Sequence, residues 1–419
     1  MGKVQVEAKV EVMPLKTKVE VEAKVKDRFL LVQLVLIGLL AVPAGFLSQA
    51  EPQPQPQPSP PPVERHLANI RQLTSGRQNA EAYFSFDGTK LIFQSTNNWT
   101  TGSSGAAQPA SGPGLGCYQM YVMDLDGANV RLVSTGTGAT TCGYFFPGDR
   151  RVLYASTYLG GPNCPPKPQR EGRYRWALDD YDIFSVRLDG QQLQRLTATP
   201  GYDAEATISP DGKTIVFTSV RDGDLDLYAM NLDGTHVRRL TQEVGYDGGA
   251  FFSPDSRRIV YRASHPRDAA TVEQYQALLA QKLVEPGQLE IFVMHADGTG
   301  KRQVTANGAS NFAPFFHSDG RRIIFSSNVH DATGSPPPGT PSHALPLEGG
   351  GEGGGGKRPP TFHLYLINDD GTGLERVTFS GRFNSFPMFS PDGKTLVWVS
   401  DRNTPARGEF NIFLADWVP

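Results

Sequence analysis

The sequence predicts an all-β fold: a six-bladed β-propeller with four antiparallel strands per blade, closed by an N-terminal strand completing the last blade. Three observations carry this reading. A strand–turn–strand unit recurs six times. Asp-Gly pairs punctuate its hairpins. The last unit lacks its closing strand, while a spare copy of that strand stands before the first unit.

The 419-residue chain starts with a segment outside the repeat. Residues 1–28 form a charged low-complexity stretch of Lys, Glu and Val in which Met13 is an alternative start, and we read no function into it. Residues 29–50 follow; Phe29–Leu47 is nearly all apolar, preceded by Lys24, Lys26 and Arg28 and followed by Ser48-Gln49-Ala50. That pattern fits a cleaved signal peptide, its length also fits a retained membrane anchor, and a buried helix of the domain is the remaining reading. No Cys follows closely, so a lipoprotein anchor is not expected. Residues 51–66, with "EPQPQPQPSPPP", form an extended linker, because proline lacks the N–H and fixes φ. The signal and anchor readings of residues 29–50 place the rest of the chain in the periplasm or outside the cell, and any membrane contact runs through residues 29–47.

Residues 67–419 carry the repeat. Its third copy is the simplest: "SPDGKTIVFTSVRDGDLDLYAMNLDGTHVRRLT", Ser209–Thr241. Related turns are Ser85–Gly88, Phe146–Asp149, Ser253–Ser256, His317–Gly320 and Ser390–Gly393. Asp-Gly between apolar runs marks a hairpin, since Gly tolerates φ > 0. The middle strands are apolar nearly throughout, as expected when neighbouring sheets cover both faces. The sixth copy ends at Pro419 without its "RLT" strand, and Asn69–Thr74, "NIRQLT", supplies it.

The unit resembles the PD40, or WD40-like, repeat of the TolB family, from about Leu67 to Val418. The resemblance implies a six-bladed propeller in the cell envelope. Relatives act as binding platforms in envelope complexes, including Tol-dependent biopolymer transport, or as the propeller half of peptidases. It says little about function, because propellers host unrelated activities. The chain departs from TolB proper in having no room for a separate N-terminal α/β domain and in carrying large insertions.

Those insertions share one topological position, between the second and third strands: Asn97–Tyr118, Tyr158–Tyr181, His265–Leu289, Val329–Phe362 and, slightly, Arg402–Phe410. One face of the ring is therefore bare and the other crowded. Binding residues concentrate on loops held by a rigid scaffold, although neutral drift in loop length also fits. In the fourth insertion Val272, Tyr275, Leu279 and Leu283 recur at helical spacing, so Ala269–Val284 is predicted as a helix capped by Asp268. The fifth is Gly/Pro-rich and is predicted to be disordered. The second, with Cys164, Arg, Tyr and Trp176, reads as an ordered recognition loop.

Two rings of candidate residues emerge when the entries to the innermost strands are aligned. The first is Asn79, Thr140, Asp203, Asp247, Asn311 and Asn384. Asx side chains that cap local turns are the weightier explanation of this ring. The second is Glu81, Cys142, Glu205, Gly249, Ala313 and Phe386. Its irregularity is not what local structure would require. Both are expected near the channel mouth, where Glu81 and Glu205 could hold a cationic group, and an oxygen-rich ring could hold calcium or magnesium. No cofactor is otherwise expected. Cys117, Cys142 and Cys164 allow one disulfide, with a link between the first two blades expected and the pairing left open. No G-x-S-x-G, H-E-x-x-H or P-loop pattern occurs.

The near-neutral charge, net −3, gives no general field for nucleic acid. The functional expectation is an exported, monomeric, non-catalytic platform that binds a protein, peptide or glycan on the inserted face. The alternative is an enzyme, or a peptidase-associated propeller, with its site at the channel mouth.

Overall fold

The computed structural model describes residues 63–99, 116–168, 175–329, 361–404, 406 and 408–419. The signal or anchor, most of the linker and nearly all of the Gly/Pro-rich fifth insertion lie outside the described residues.

Six four-stranded antiparallel sheets form the blades. The chain opens with β1 (Leu67–Gln72), then builds blade one from β2 (Asn79–Phe84), β3 (Lys90–Ser95), β4 (Gln119–Asp124) and β5 (Arg131–Leu132). Blade two is β6 (Thr140–Phe145), β7 (Arg151–Ser156), β9 (Asp182–Arg187) and β10 (Gln194–Arg195), with β8 (Trp176–Ala177) in its insertion. Blade three is β11 (Asp203–Ile208), β12 (Thr214–Ser219), β13 (Asp226–Asn231) and β14 (Arg238–Arg239). Blade four is β15 (Tyr246–Phe252), β16 (Arg258–Ser264), β18 (Glu290–His295) and β19 (Arg302–Gln303), with helix α1 (Ala269–Leu279) and β17 (Leu283–Val284) in its insertion. Blade five is β20 (Asn311–Phe316), β21 (Arg322–Ser327), β22 (His363–Asn368) and β23 (Glu375–Arg376). Blade six joins β24 (Asn384–Phe389), β25 (Thr395–Ser400) and β26 (Asn411–Trp417) to β1. Each innermost strand packs on the next, and β24 packs on β2, which closes the ring.

Burial explains why the middle strands do not alternate. Ile215, Val216 and Phe217 are consecutive and all at 0% exposure, since each face of β12 meets a neighbouring blade. The "RLT" threonine has a fixed task. Thr241 Oγ1 accepts the Leu227 N–H (2.9 Å), and Thr305, Thr378 and Thr74 accept the matching N–H of Ile291, Leu364 and Ile412. A two-residue outer strand is thereby pinned by a side chain as well as by its ladder.

Closure follows the expected pairing, with Leu67 opposite Trp417 and Gln72 opposite Phe413. Packing starts ahead of β1. His66 stacks on Trp417 at 4.9 Å, and Glu64 holds Arg402 at 2.9 Å. Burial would raise the Glu64 carboxyl, but hydrogen bonds from Ser380 and Arg402 hold it below the usual range.

The helix is shorter than its apolar spacing predicts. Asp268 caps it by accepting the Thr271 N–H (3.0 Å). It ends at Leu279, and Lys282 turns to φ +57°. Leu283 and Val284 then leave the helical stripe to pair with Ala177 and Trp176. A cross-insertion strand pair thus overrides local helical periodicity.

Candidate functional site

A bulge in every innermost strand sets the site. Ala80 pairs with Gln94 and Tyr83 with Ile92, so Glu81 and Ala82 stand opposite Phe93 alone. The same shift recurs in all six blades. The first bulged residue is always left-handed: Glu81 (φ 49°), Cys142 (53°), Glu205 (56°), Gly249 (59°), Ala313 (49°) and Phe386 (51°). That is the place where a bulge favours glycine, and five non-glycine residues hold it at a cost of about 1 kcal/mol each.

These six residues, the second predicted ring, all line one cavity of about 240 Å³. Thr140 lines it too, but the other five members of the first ring do not. Asn79, Asp203, Asp247, Asn311 and Asn384 are buried to 1% or less. The Ser95, Ser327 and Ser400 hydroxyls donate to Asn79, Asn311 and Asn384 at 2.7–2.8 Å. Asn79 and Asn311 also donate to Asn411 and Glu290 of the preceding blade. Asp203 pairs with Arg221 (3.0 Å) and Asp247 with His265 (3.1 Å). The expectation that this ring faces the channel is therefore corrected: its side chains stitch each innermost strand to its surroundings.

The two glutamates differ sharply. Glu205 forms an ion pair with Arg262 and accepts hydrogen bonds from Thr218 (2.8 Å), Tyr246 (3.2 Å) and the Gly249 N–H (2.9 Å). Arg262, 6% exposed, also donates to Tyr246 (2.9 Å) and lies 5.3 Å from the Trp176 ring. Burial opposes the Arg262 charge, but Glu205 prevails and holds its pKa above the ordinary value. Glycine at 249 leaves room for Arg262, because a Cβ there would stand 2.8 Å from the guanidinium, and it holds the left-handed backbone without the cost the other five residues bear.

Glu81 has no such partner. It is 8% exposed, and its Oε2 accepts no hydrogen bond among the described residues. Burial raises its pKa to about 7; the Cys142 thiol, which donates to it, works against that, and the Glu205 charge adds to it. Burial and the Glu81 charge push the Cys142 thiol well above its usual range, so it is not a ready nucleophile.

Insertions build the rim. The disulfide joins Cys117 to Cys164 with Cα atoms 5.6 Å apart, tying the first two blades and leaving Cys142 free. The second insertion reaches across the simple third blade and pairs with the fourth through β8 and β17, with Arg175 on Glu285 at 2.8 Å. Tyr275 of α1 bonds Asp224 on that third blade. Trp176 therefore stands on the cavity wall beside Tyr246, with ring centroids 5.9 Å apart. Among the described residues, no group of three or more His, Cys, Asp or Glu is placed to hold a metal ion.

Sequence reasoning missed Arg262 and the tyrosines Tyr83, Tyr202 and Tyr246. A signal for Arg262 was present. It is the one charged residue at its strand position, where the other blades carry Gln94, Ala155, Thr218, Ser326 and Val399.

The closed ring of six four-stranded blades defines a six-bladed β-propeller. Residues 177–277 match the family model described as the TolB beta propeller domain, PD40. Among solved structures, the chain is similar to a TolB protein from Agrobacterium tumefaciens (17% identity, 84% of this chain and 97% of that one, TM-score 0.48). It is also similar to TolB from Acinetobacter baumannii (18%, 71% and 60%, TM-score 0.47) and to an oligogalacturonate lyase from Vibrio parahaemolyticus (15%, 84% and 93%, TM-score 0.45).

Proposed function

We propose that this chain is a non-catalytic binding platform whose recognition site is the cavity at the inserted face, taking a protein segment, peptide or glycan. One observation supports it most: the irregular ring from Glu81 to Phe386 converges on a single cavity whose rim is a disulfide-tethered insertion. Side chains held at a conformational cost, on a rigid scaffold, fit recognition. The Cys117–Cys164 bond fits work in an oxidising, extracytoplasmic compartment.

The enzyme alternative rests on Glu81, whose pKa of about 7 suits a general base. Its two titratable neighbours in the ring are less suited to a second role, because Glu205 is committed to Arg262 and the Cys142 thiol is held protonated. Peptide and glycan arrays probed with the full chain and with Trp176→Ala test the reading. The expected result is retention of one ligand class, weakened by Trp176→Ala. No retention on either array refutes it, and conversion of a retained ligand to product replaces it with the enzyme reading.

A further inference from the structure

The cavity holds one carboxylate that the fold has neutralised and one that it has not. Glu205 is saturated by Arg262, Thr218, Tyr246 and the Gly249 N–H. The charged and titratable groups that act most strongly on Glu81 are Cys142, Glu205 and Arg262, and Glu81 in turn acts on Tyr83. Of these, Cys142 and Tyr83 are neutral and have their pKa values pushed up, and Glu205 repels. Arg262 attracts, but its charge is spent on Glu205. A buried carboxylate oxygen without a donor costs free energy until a donor arrives.

Tyr83, Tyr118, Tyr202, Trp176 and Phe386 give the cavity an aromatic share of its wall; Lys167, Arg175 and Asp179 also line it, each with a partner of its own, Arg175 on Glu285. Aromatic faces attract cations, and apolar walls suit a methylene stem. An anion would be repelled by Glu81. A neutral hydroxyl would supply a hydrogen bond but leave the charge uncompensated.

We propose that the cavity receives a cationic head on an apolar stem, an alkylammonium or alkylguanidinium, with Glu81 as counter-charge and the aromatic wall around the stem. This rests on the recognition reading and names the chemistry of the same site. Lysine and arginine side chains carry such a group, and so do free alkylamines and alkylguanidines.

Calorimetric titration of the full chain separates these sources. The probes are n-butylamine, n-butylguanidine and blocked Gly-Gly-X-Gly-Gly peptides with X as lysine, arginine, norleucine or glutamate. Binding of cationic probes only, weakened at least about tenfold by Glu81→Gln, is the expected result. Affinity falls about tenfold per pH unit below pH 7, where Glu81 must lose a proton to bind, and is flat above it. Peptide binding without binding of the free amines identifies a protein segment as the source, and the reverse identifies a small molecule. No cationic binding up to about 10 mM, a range covering even weak sites, overturns the inference. So does equal binding of norleucine, or an unchanged affinity in Glu81→Gln. Because Gln is isosteric, a thermal melt of the variant checks that it is folded. A glycan or peptide retained on the arrays but indifferent to Glu81→Gln sinks the cationic inference alone and leaves the recognition reading standing.

Discussion

The ring that begins at Asn79 and the ring that begins at Glu81 lie two residues apart on the same six strands, yet they do opposite work. The first is nearly uniform in chemistry, buried, and joined to serines, arginines, a histidine and the preceding blade. The second varies from carboxylate to thiol to phenyl and faces one cavity. Regular chemistry at a repeat position reports a structural task that each blade must repeat. Irregular chemistry at a position with a constant, costly backbone reports a surface free to differ between blades. Glu205 complicates the division, because it faces the cavity but is bonded as tightly as any member of the first ring.

The sharpest way to break the comparison is to truncate one member of each ring that holds an arginine. Asp203→Ala and Glu205→Ala should each cost about 4 kcal/mol in urea unfolding, because each leaves a guanidinium without its carboxylate. A loss under about 1 kcal/mol for Asp203→Ala would remove the structural role of the first ring. Glu81 should behave in the opposite sense. Its pKa rises from 4.5 to about 7 on folding, so across that window the folded chain binds more protons than the unfolded one. Stability therefore falls as pH rises through the window, by the order of 3 kcal/mol, and Glu81→Gln should abolish this decline. Parallel melts of both proteins between pH 4 and pH 8, at about half-unit steps, would show it. The smallest effect concerns backbone alone. Ala313→Gly should stabilise by about 0.5 kcal/mol, left-handed relief of about 1 kcal/mol being partly offset by glycine's unfolded-state freedom. Ala204→Gly, next to the bulge in an ordinary strand, should destabilise by about 1 kcal/mol.

The architecture was legible because its signals repeat. Asp-Gly turns, doubly apolar middle strands and the orphan "NIRQLT" each have a short-range cause that composition exposes. The location of the second ring was legible for the same reason, as six aligned positions. Its left-handed backbone was not, since Glu81, Cys142, Glu205, Ala313 and Phe386 are poor choices for that conformation and local propensity argues against it. The pairing of Trp176–Ala177 with Leu283–Val284 was also hidden. Two residues on each side, in separate insertions, carry no period, and Leu283 continued a helical stripe that tertiary pairing interrupts. The cysteine pairing needed three-dimensional proximity, which brought Cys117 to Cys164 and left Cys142 beside Glu81.

The seam between β1 and β26 imposes an order of events during synthesis. Leu67 emerges from the ribosome first, and its partner Trp417 emerges hundreds of residues later. At about 5–20 residues per second, the early strand waits from roughly 20 seconds to about a minute for its mate. Over that interval the nascent chain can stack blades one after another, but its final hydrogen-bonded edge stays vacant. The propeller is thus latched by its last-made strand, and a ribosome that stalls before Asn411 leaves an open ring with no means of sealing itself.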